Sequence, residues 1–336
     1  MYRFNSSITP CYPTSEDRNP CLRHNFRLLE SVDTLKHSSV TSKLSCLDIP
    51  DNIYNWVINY LTDRQHCTKL QNSISTPCSI NASIVQGSAL GPTLFNISSS
   101  DLKPKFDYNA YFKYADDGNL VVPGSKAASI PAELEHHATW ASDCNLKLNL
   151  NKTSEIVFTR PRSPMPPPNI GIEKKDNVKM LGVYIDNKLK FDFHVSETPK
   201  NCSKSLFALK VMKTYGMQTS VLDNIFKSLI LSKLLYASPA WWGFISIENK
   251  NKIQAFLNRA TRWGYYKSDG PSISVMQEKI DKKLFLKIIQ DESHVLHYLL
   301  PEVKQPQHSL RPRGHNFSLP DKDMKNFIIR CLYLFR

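Results

Sequence analysis

No run of about 18 apolar residues occurs in this chain, so nothing in it reads as a membrane-spanning helix. The first residues, MYRFNSSITPCYPTSEDRNPC, lack the basic-then-apolar order of a secretory signal. C-x-x-C pairs are absent too. The eight cysteines (Cys11, Cys21, Cys46, Cys67, Cys78, Cys144, Cys202 and Cys331) are scattered. That scatter fits a reducing, intracellular compartment, cytoplasm or nucleus, better than a disulfide framework or a zinc site. No internal repeat is visible. Acidic residues are in short supply: 30 Asp and Glu face 43 Lys and Arg, for a formal net charge of +13. The imbalance implies a polyanionic partner, nucleic acid first, with a merely soluble basic surface as the alternative.

What is there is enough apolar sequence for a core, in two styles. Residues 1–25 carry no periodicity and read as poorly ordered. From Ser38 to Leu70 the pattern is helical, with Ser42 as a cap for a short helix and Asp51 as the cap of DNIYNWVINYL, whose Ile53, Trp56, Val57 and Tyr60 share a face. INASIV (80–85) alternates like a strand. GSALGPTLFN is a turn entering a helix, with Pro92 in its first turn. AYFKY and NLVV flank ADDG, which predicts a β-hairpin with Asp116, Asp117 and Gly118 at or near its tip. Pro131 opens a helix that places Leu134, Ala138 and Ala141 on one face; SEIVFT is a strand, PRSPMPPPN a proline-rich loop, and VKMLGVYID a strand with Leu181, Val183 and Ile185 on one side. After Lys188 the pattern turns helical. SKSLFALKVMKTYG stops at Gly216; later helices bury Leu222, Ile225, Phe226 and Leu229, then Ile253, Phe256, Leu257, Ala260 and Trp263, and a last one covers Asp281–Leu300.

Two adjacent carboxylates in a basic chain need a reason. Asp-Asp-Gly is good turn chemistry and needs no function. The other reading is a metal site, because Mg²⁺ takes oxygen ligands and commonly uses one or two carboxylates plus substrate phosphates. Two such ions about 4 Å apart serve phosphoryl transfer. Alternation keeps Asp116 and Asp117 from pointing the same way, so a two-ion site needs a further carboxylate from another strand.

The surrounding motifs bear on the choice. In order they are QGSALGP, YADD, WASDCNLKLNLNKT and LGVYIDNKLKF, continued by SKLLYASPAWWGF and LRPRGHNFSLPDKDMKNFIIRCLYLF. This series resembles the reverse transcriptases of non-LTR (LINE-type) retrotransposons, closest to the chicken-repeat and jockey-like group, over about residues 33–336. The resemblance implies an α+β fold: a partial palm of antiparallel sheet and helices (27–190), a thumb-like helical region (191–270) and a C-terminal extension (271–336), with residues 1–26 unmatched and the fingers missing. It implies an RNA-directed DNA polymerase working on an RNA template, a DNA primer and dNTPs. Asp116 and Asp117 would be catalytic and hold Mg²⁺. Gln86 and Gly87 would lie along template and nucleotide, with Tyr114 also binding substrate. Lys152 would assist proton transfer near the phosphates, MLGVYI would be the primer grip, and Trp241 and Trp242 would pack the core or stack on a base.

The sequence also departs from that family. Its palm carries a motif of the form D-F-S-K-A-F-D-T-V-x-H, whose first aspartate is the further carboxylate. Aligning VDTLKH with it puts Asp33 on the second aspartate and Arg27 on the catalytic place; Glu30 or Asp33 reaches it only by a register shift. Gly118 and Asn119 stand where relatives usually have Thr and an aromatic or apolar residue. The expectation is therefore a reverse-transcriptase domain with impaired catalysis. The alternative is a non-catalytic basic nucleic-acid-binding remnant, or the product of a decayed reading frame.

Overall fold

The structure, a computed structural model, describes residues 21–29, 34–84, 87–149, 153–158, 172–267, 269–304 and 314–336. Glu30, Asp33, Gln86, Lys152 and the proline-rich loop lie outside them. The chain divides into two compact units, with the boundary between Asp176 and Asn177.

In the first unit, strand β1 spans Cys21–Leu29, followed by helices α1 (His37–Leu44) and α2 (Asp51–Leu61). The two-residue strands β2 (Gln65–His66), β3 (Lys69–Leu70), β4 (Ser73–Ile74) and β5 (Cys78–Ser79) pair as β2 with β5 and β3 with β4. Helix α3 (Gly91–Ser98) leads to strands β6 (Ala110–Tyr114) and β7 (Asp117–Pro123). Helix α4 (Ile130–Asp143) and strands β8 (Lys147–Leu148), β9 (Ser154–Phe158) and β10 (Glu173–Lys174) complete it. The main sheet runs β10-β9-β1-β7-β6, with β8 also pairing β1. β1 is thus the central strand, formed by a stretch whose alternation of Leu22, Phe26 and Leu28 is interrupted only by His24.

Proline opens both α3 and α4, where its missing N–H costs no hydrogen bond. Several local expectations need correction, the first being residues 21–25, which read as poorly ordered but lie in the central strand β1. Ser42 lies inside α1, which starts after Lys36. In α2 the buried residues are Val57 and Leu61, while Ile53 and Trp56 are half-exposed. Asp51 is the first helical residue there, and its predecessor Pro50 is the cap. INASIV makes only an isolated bridge, Lys36 with Ala82. The core between α1, α2 and α3 gathers Leu35, Val40, Val57, Leu61, Ile84, Leu94 and Phe95.

In the second unit, VKMLGVYID is a hairpin rather than one strand. β11 (Asn177–Met180) and β12 (Val183–Asp186) pair around Leu181 and Gly182, both at positive φ. The Asp186 carboxylate then accepts from the backbone N–H of Lys188, Lys190 and Phe191, which fixes the turn into helix α5 (Asp192–Thr214). Gly216, at φ 82°, follows its end as the sequence predicts. Next come α6 (Thr219–Ile225), a π-helical turn (Phe226–Leu231), and the short helices α7 (Ser232–Leu234) and α8 (Ser238–Trp241). Leu222, Phe226, Ile230 and Leu234 are all buried, at steps of four. That spacing drifts off a 3.6-residue helix and suits the wider π turn; it leaves Leu229, expected on the buried face, exposed.

Helices α9 (Ile247–Arg262), α10 (Ile273–Gln290) and α11 (Phe327–Leu334) are capped by the side chains of Ser246, Ser272 and Asn326. The last predicted helix therefore begins earlier than Asp281 and ends at Gln290. Phe285, Ile288, Ile328, Cys331 and Leu332 close a core between α10 and α11. Among the described residues no helix is long and apolar enough to cross a membrane.

Candidate active site

Tyr114 pairs with Asp117, so a two-residue loop, Ala115 and Asp116, joins β6 to β7. Connections this short favour positive φ at the first loop residue. Ala115 supplies it at 50°. Asp116 is thus a loop residue and Asp117 begins β7, both half-buried, with Gly118 one step into the strand.

Residues paired across an antiparallel ladder share a face, and successive residues alternate. One face of the hairpin carries Tyr111, Lys113, Gly118, Leu120 and Val122. It packs on Ile130 and Leu134 of α4 and Val157 of β9. Polar groups anchor this side. Lys113 Nζ donates to the backbone carbonyls of Ser99 and Leu102, and burial lowers its pKa to about 8. The Tyr111 ring meets His137 edge-on at 4.7 Å, and burial pushes its hydroxyl pKa up. His137 Nδ1 donates to the Glu133 carbonyl oxygen at 2.6 Å, and burial lowers the pKa of that imidazole. The fully buried Glu133 carboxylate accepts from the N–H groups of Lys105 (2.9 Å) and Phe106 (3.0 Å) and from Asn109 Nδ2 (2.8 Å). It thereby ties α4 to the loop that enters β6. Sequence reading missed this layer. Its signal was present, since Glu133 and His137 fall on the same α4 face as Ile130 and Ala141.

The opposite face carries Phe112, Tyr114, Asp117 and Asn119. Tyr114 and Phe112 are 65% and 45% exposed, while Asn119 is buried at 4%. The Asn119 Oδ1 has no hydrogen-bond partner. Beside β7, β1 places Arg27 opposite Asp117 and Asn25 opposite Asn119. Glu155 of β9 is buried, but it shares a register row with His24 and Leu120, on the face away from Asp117. Among the described residues no three His, Cys, Asp or Glu side chains are grouped to hold a metal ion. Two carboxylates suit one hard cation; a pair of cations needs more donors than these two.

Of the other expected site residues, Gly87 adopts φ 80°, with open space where a Cβ would stand. Gln86 and Lys152 fall outside the described residues. Trp241 and Trp242 are buried, with the Trp241 indole N–H donating to the Tyr236 carbonyl, so both serve packing rather than base stacking.

Residues 30–185 match the family described as reverse transcriptase (RNA-dependent DNA polymerase). The chain is similar to a probable RNA-directed DNA polymerase from transposon BS of Drosophila melanogaster, 26% identical over 74% of this chain and 29% of that protein. A probable RNA-directed DNA polymerase from transposon X-element of the same organism is 25% identical over 78% of this chain and 30% of that protein. The matched stretch thus spans less than a third of either relative. Among solved structures, telomerase from Candida tropicalis in complex with a fragment of telomeric RNA aligns with a TM-score of 0.43 at 11% identity, covering 85% of this chain and 49% of that one. Residues 30–185 thus match a reverse-transcriptase domain, and the chain is similar to RNA-directed DNA polymerases of non-LTR retrotransposons.

Proposed function

We propose that this domain binds an RNA template and a DNA primer as the palm of a retrotransposon polymerase, and that its polymerisation is impaired by an incomplete metal site. The observation that carries this reading is the register of β1 on β7, which sets Arg27 opposite Asp117. Asp116 and Asp117 would hold one divalent cation, Mg²⁺, whose charge would offset that of a nucleotide's phosphates. Arginine has no oxygen to add to such a site, and its charge opposes a cation. Gly87 leaves backbone open to a bound strand. Gln86 would lie next to it along template and nucleotide, Tyr114 would offer its exposed ring, and Lys152 would act near the phosphates. The helices of residues 191–270 would form the thumb and residues 271–336 an extension, their basic side chains following phosphates.

Primer extension tests the reading, with an RNA template, DNA primer, dNTPs and Mg²⁺. Extension by the native chain should be weak or absent. Arg27→Asp should raise it by at least tenfold, and adding Asp116→Ala should remove the gain. Binding of primer–template should survive Asp116→Ala and fall steeply with salt. Robust extension by the native chain that Arg27→Asp does not improve would overturn the impairment.

A further inference from the structure

Asn119 stands two residues along β7 from Asp117, on the same face, with its Oδ1 buried and without a hydrogen-bond partner. Unpartnered buried oxygens are uncommon in folded proteins, and where they persist a water, an ion or a ligand usually completes them. The depth of this one narrows the choice. A side chain 4% exposed leaves no approach for a base or a sugar. A cation or its bound water is small enough. Hard divalent cations take oxygen donors, and a side-chain amide carbonyl serves beside carboxylates. The neighbouring strands offer no carboxylate in these rows, since Asp117 lies between Tyr114 and Arg27, and Asn119 between Phe112 and Asn25. On β7 itself, Asn119 Oδ1 is the next side-chain oxygen beyond Asp117 on that face.

We propose that Asn119 is a third oxygen donor for the cation held by Asp116 and Asp117, contacting it directly or through one cation-bound water. The site is then a one-cation site of two carboxylates and an amide. This rests on the reading above that the aspartates bind a cation.

Mn²⁺ binding to the full chain tests it, followed by electron paramagnetic resonance of the free ion and by the metal-dependent shift in melting temperature. Asn119→Leu should weaken Mn²⁺ binding by about tenfold, the scale seen when a group supporting a metal site is lost. It should also shrink the metal-dependent shift without lowering the metal-free melting temperature, because the leucine buries no unpartnered oxygen. Asn119→Asp should tighten binding severalfold. Asp116→Ala should abolish it. If Asn119→Leu binds Mn²⁺ like the native chain while Asp116→Ala does not bind, the assignment of Asn119 is overturned and the carboxylate site stands. Binding that Asp116→Ala leaves unchanged overturns both. Should Asn119→Leu fail to fold, Asn119→Asp decides alone, with unchanged affinity counting against the proposal.

Discussion

Two buried polar side chains, one in each unit, are met very differently: the Arg330 guanidinium on every N–H, the Asn119 amide oxygen not at all. In the helical unit, Arg330 of α11 is 4% exposed, and each of its N–H groups reaches an acceptor. Nε and Nη2 donate to Asp281 Oδ2 at 3.2 and 3.1 Å. Nη1 donates to the carbonyls of Met324 and Lys325, and Nη2 also to that of Pro239. One guanidinium thus joins α11, α10, α8 and the loop before α11. At the hairpin β1 sets Arg27 across from Asp117, and two residues further along β7 the buried Asn119 amide oxygen goes without a hydrogen bond. Buried polar groups that are fully met hold a fold together. Those left incomplete mark where a ligand is expected.

The largest way to test this contrast is to break the satisfied side. Arg330→Met leaves Asp281 buried beside α11 without its cation. Burial already pushes that carboxyl pKa up, against the pull of Arg330. Removing one member of a buried pair costs about 3–5 kcal/mol. Urea denaturation should show that loss, and Asp281→Leu combined with Arg330→Met should recover much of it. A loss under about 1 kcal/mol would show that the network is not what seats α11.

A smaller effect is expected at the hairpin. Gly118 packs against the Tyr111 hydroxyl and ring so closely that a Cβ would collide with them. Gly118→Ala should therefore cost about 1–3 kcal/mol through overpacking, and Tyr111→Leu in the same chain should offset it. This contact gives a physical reason for glycine at position 118. If Gly118→Ala is neutral, the aromatic layer beneath the hairpin is looser than its contacts indicate.

How much of this was legible beforehand depended on whether a feature was local. The hairpin, the proline-opened helices and the stop at Gly216 follow from short-range backbone preferences, and each stands in the structure. Arg27 is harder. Motif alignment pointed to it, but only the pairing of β1 with β7 sets it across from Asp117. Faces were read less well. In α2, Trp56 and Val57 are equally apolar in sequence, yet only Val57 is buried, because packing against α1 and α3 selects the face. The π turn broke the count in α6, and the buried polar layer of Glu133 and His137 hid inside an amphipathic pattern that assigns polar residues to solvent.

The smallest test sets one buried histidine from each unit against the other. His137 lies under the hairpin. His194 lies between the Tyr184 N–H, which donates to its Nδ1 at 3.4 Å, and the edge of Trp241. Burial lowers both pKa values from 6.5. Above that pH neither form is protonated, folded or unfolded, so stability is level. As pH falls below 6.5 the unfolded chain takes up the protons first, and stability drops toward the lowered folded values. Each histidine contributes a slope of at most about 1.4 kcal/mol per pH unit. His137→Gln and His194→Gln should each flatten the acid limb of a urea-midpoint profile between pH 6.5 and 5. Around His137 the Glu133 carbonyl and carboxylate favour the charged form while His136 and Lys113 oppose it, and burial outweighs them all. An acid limb that the His137 variant leaves unchanged would show that this imidazole is not held neutral beneath the hairpin, and the polar layer there would then be open to protons.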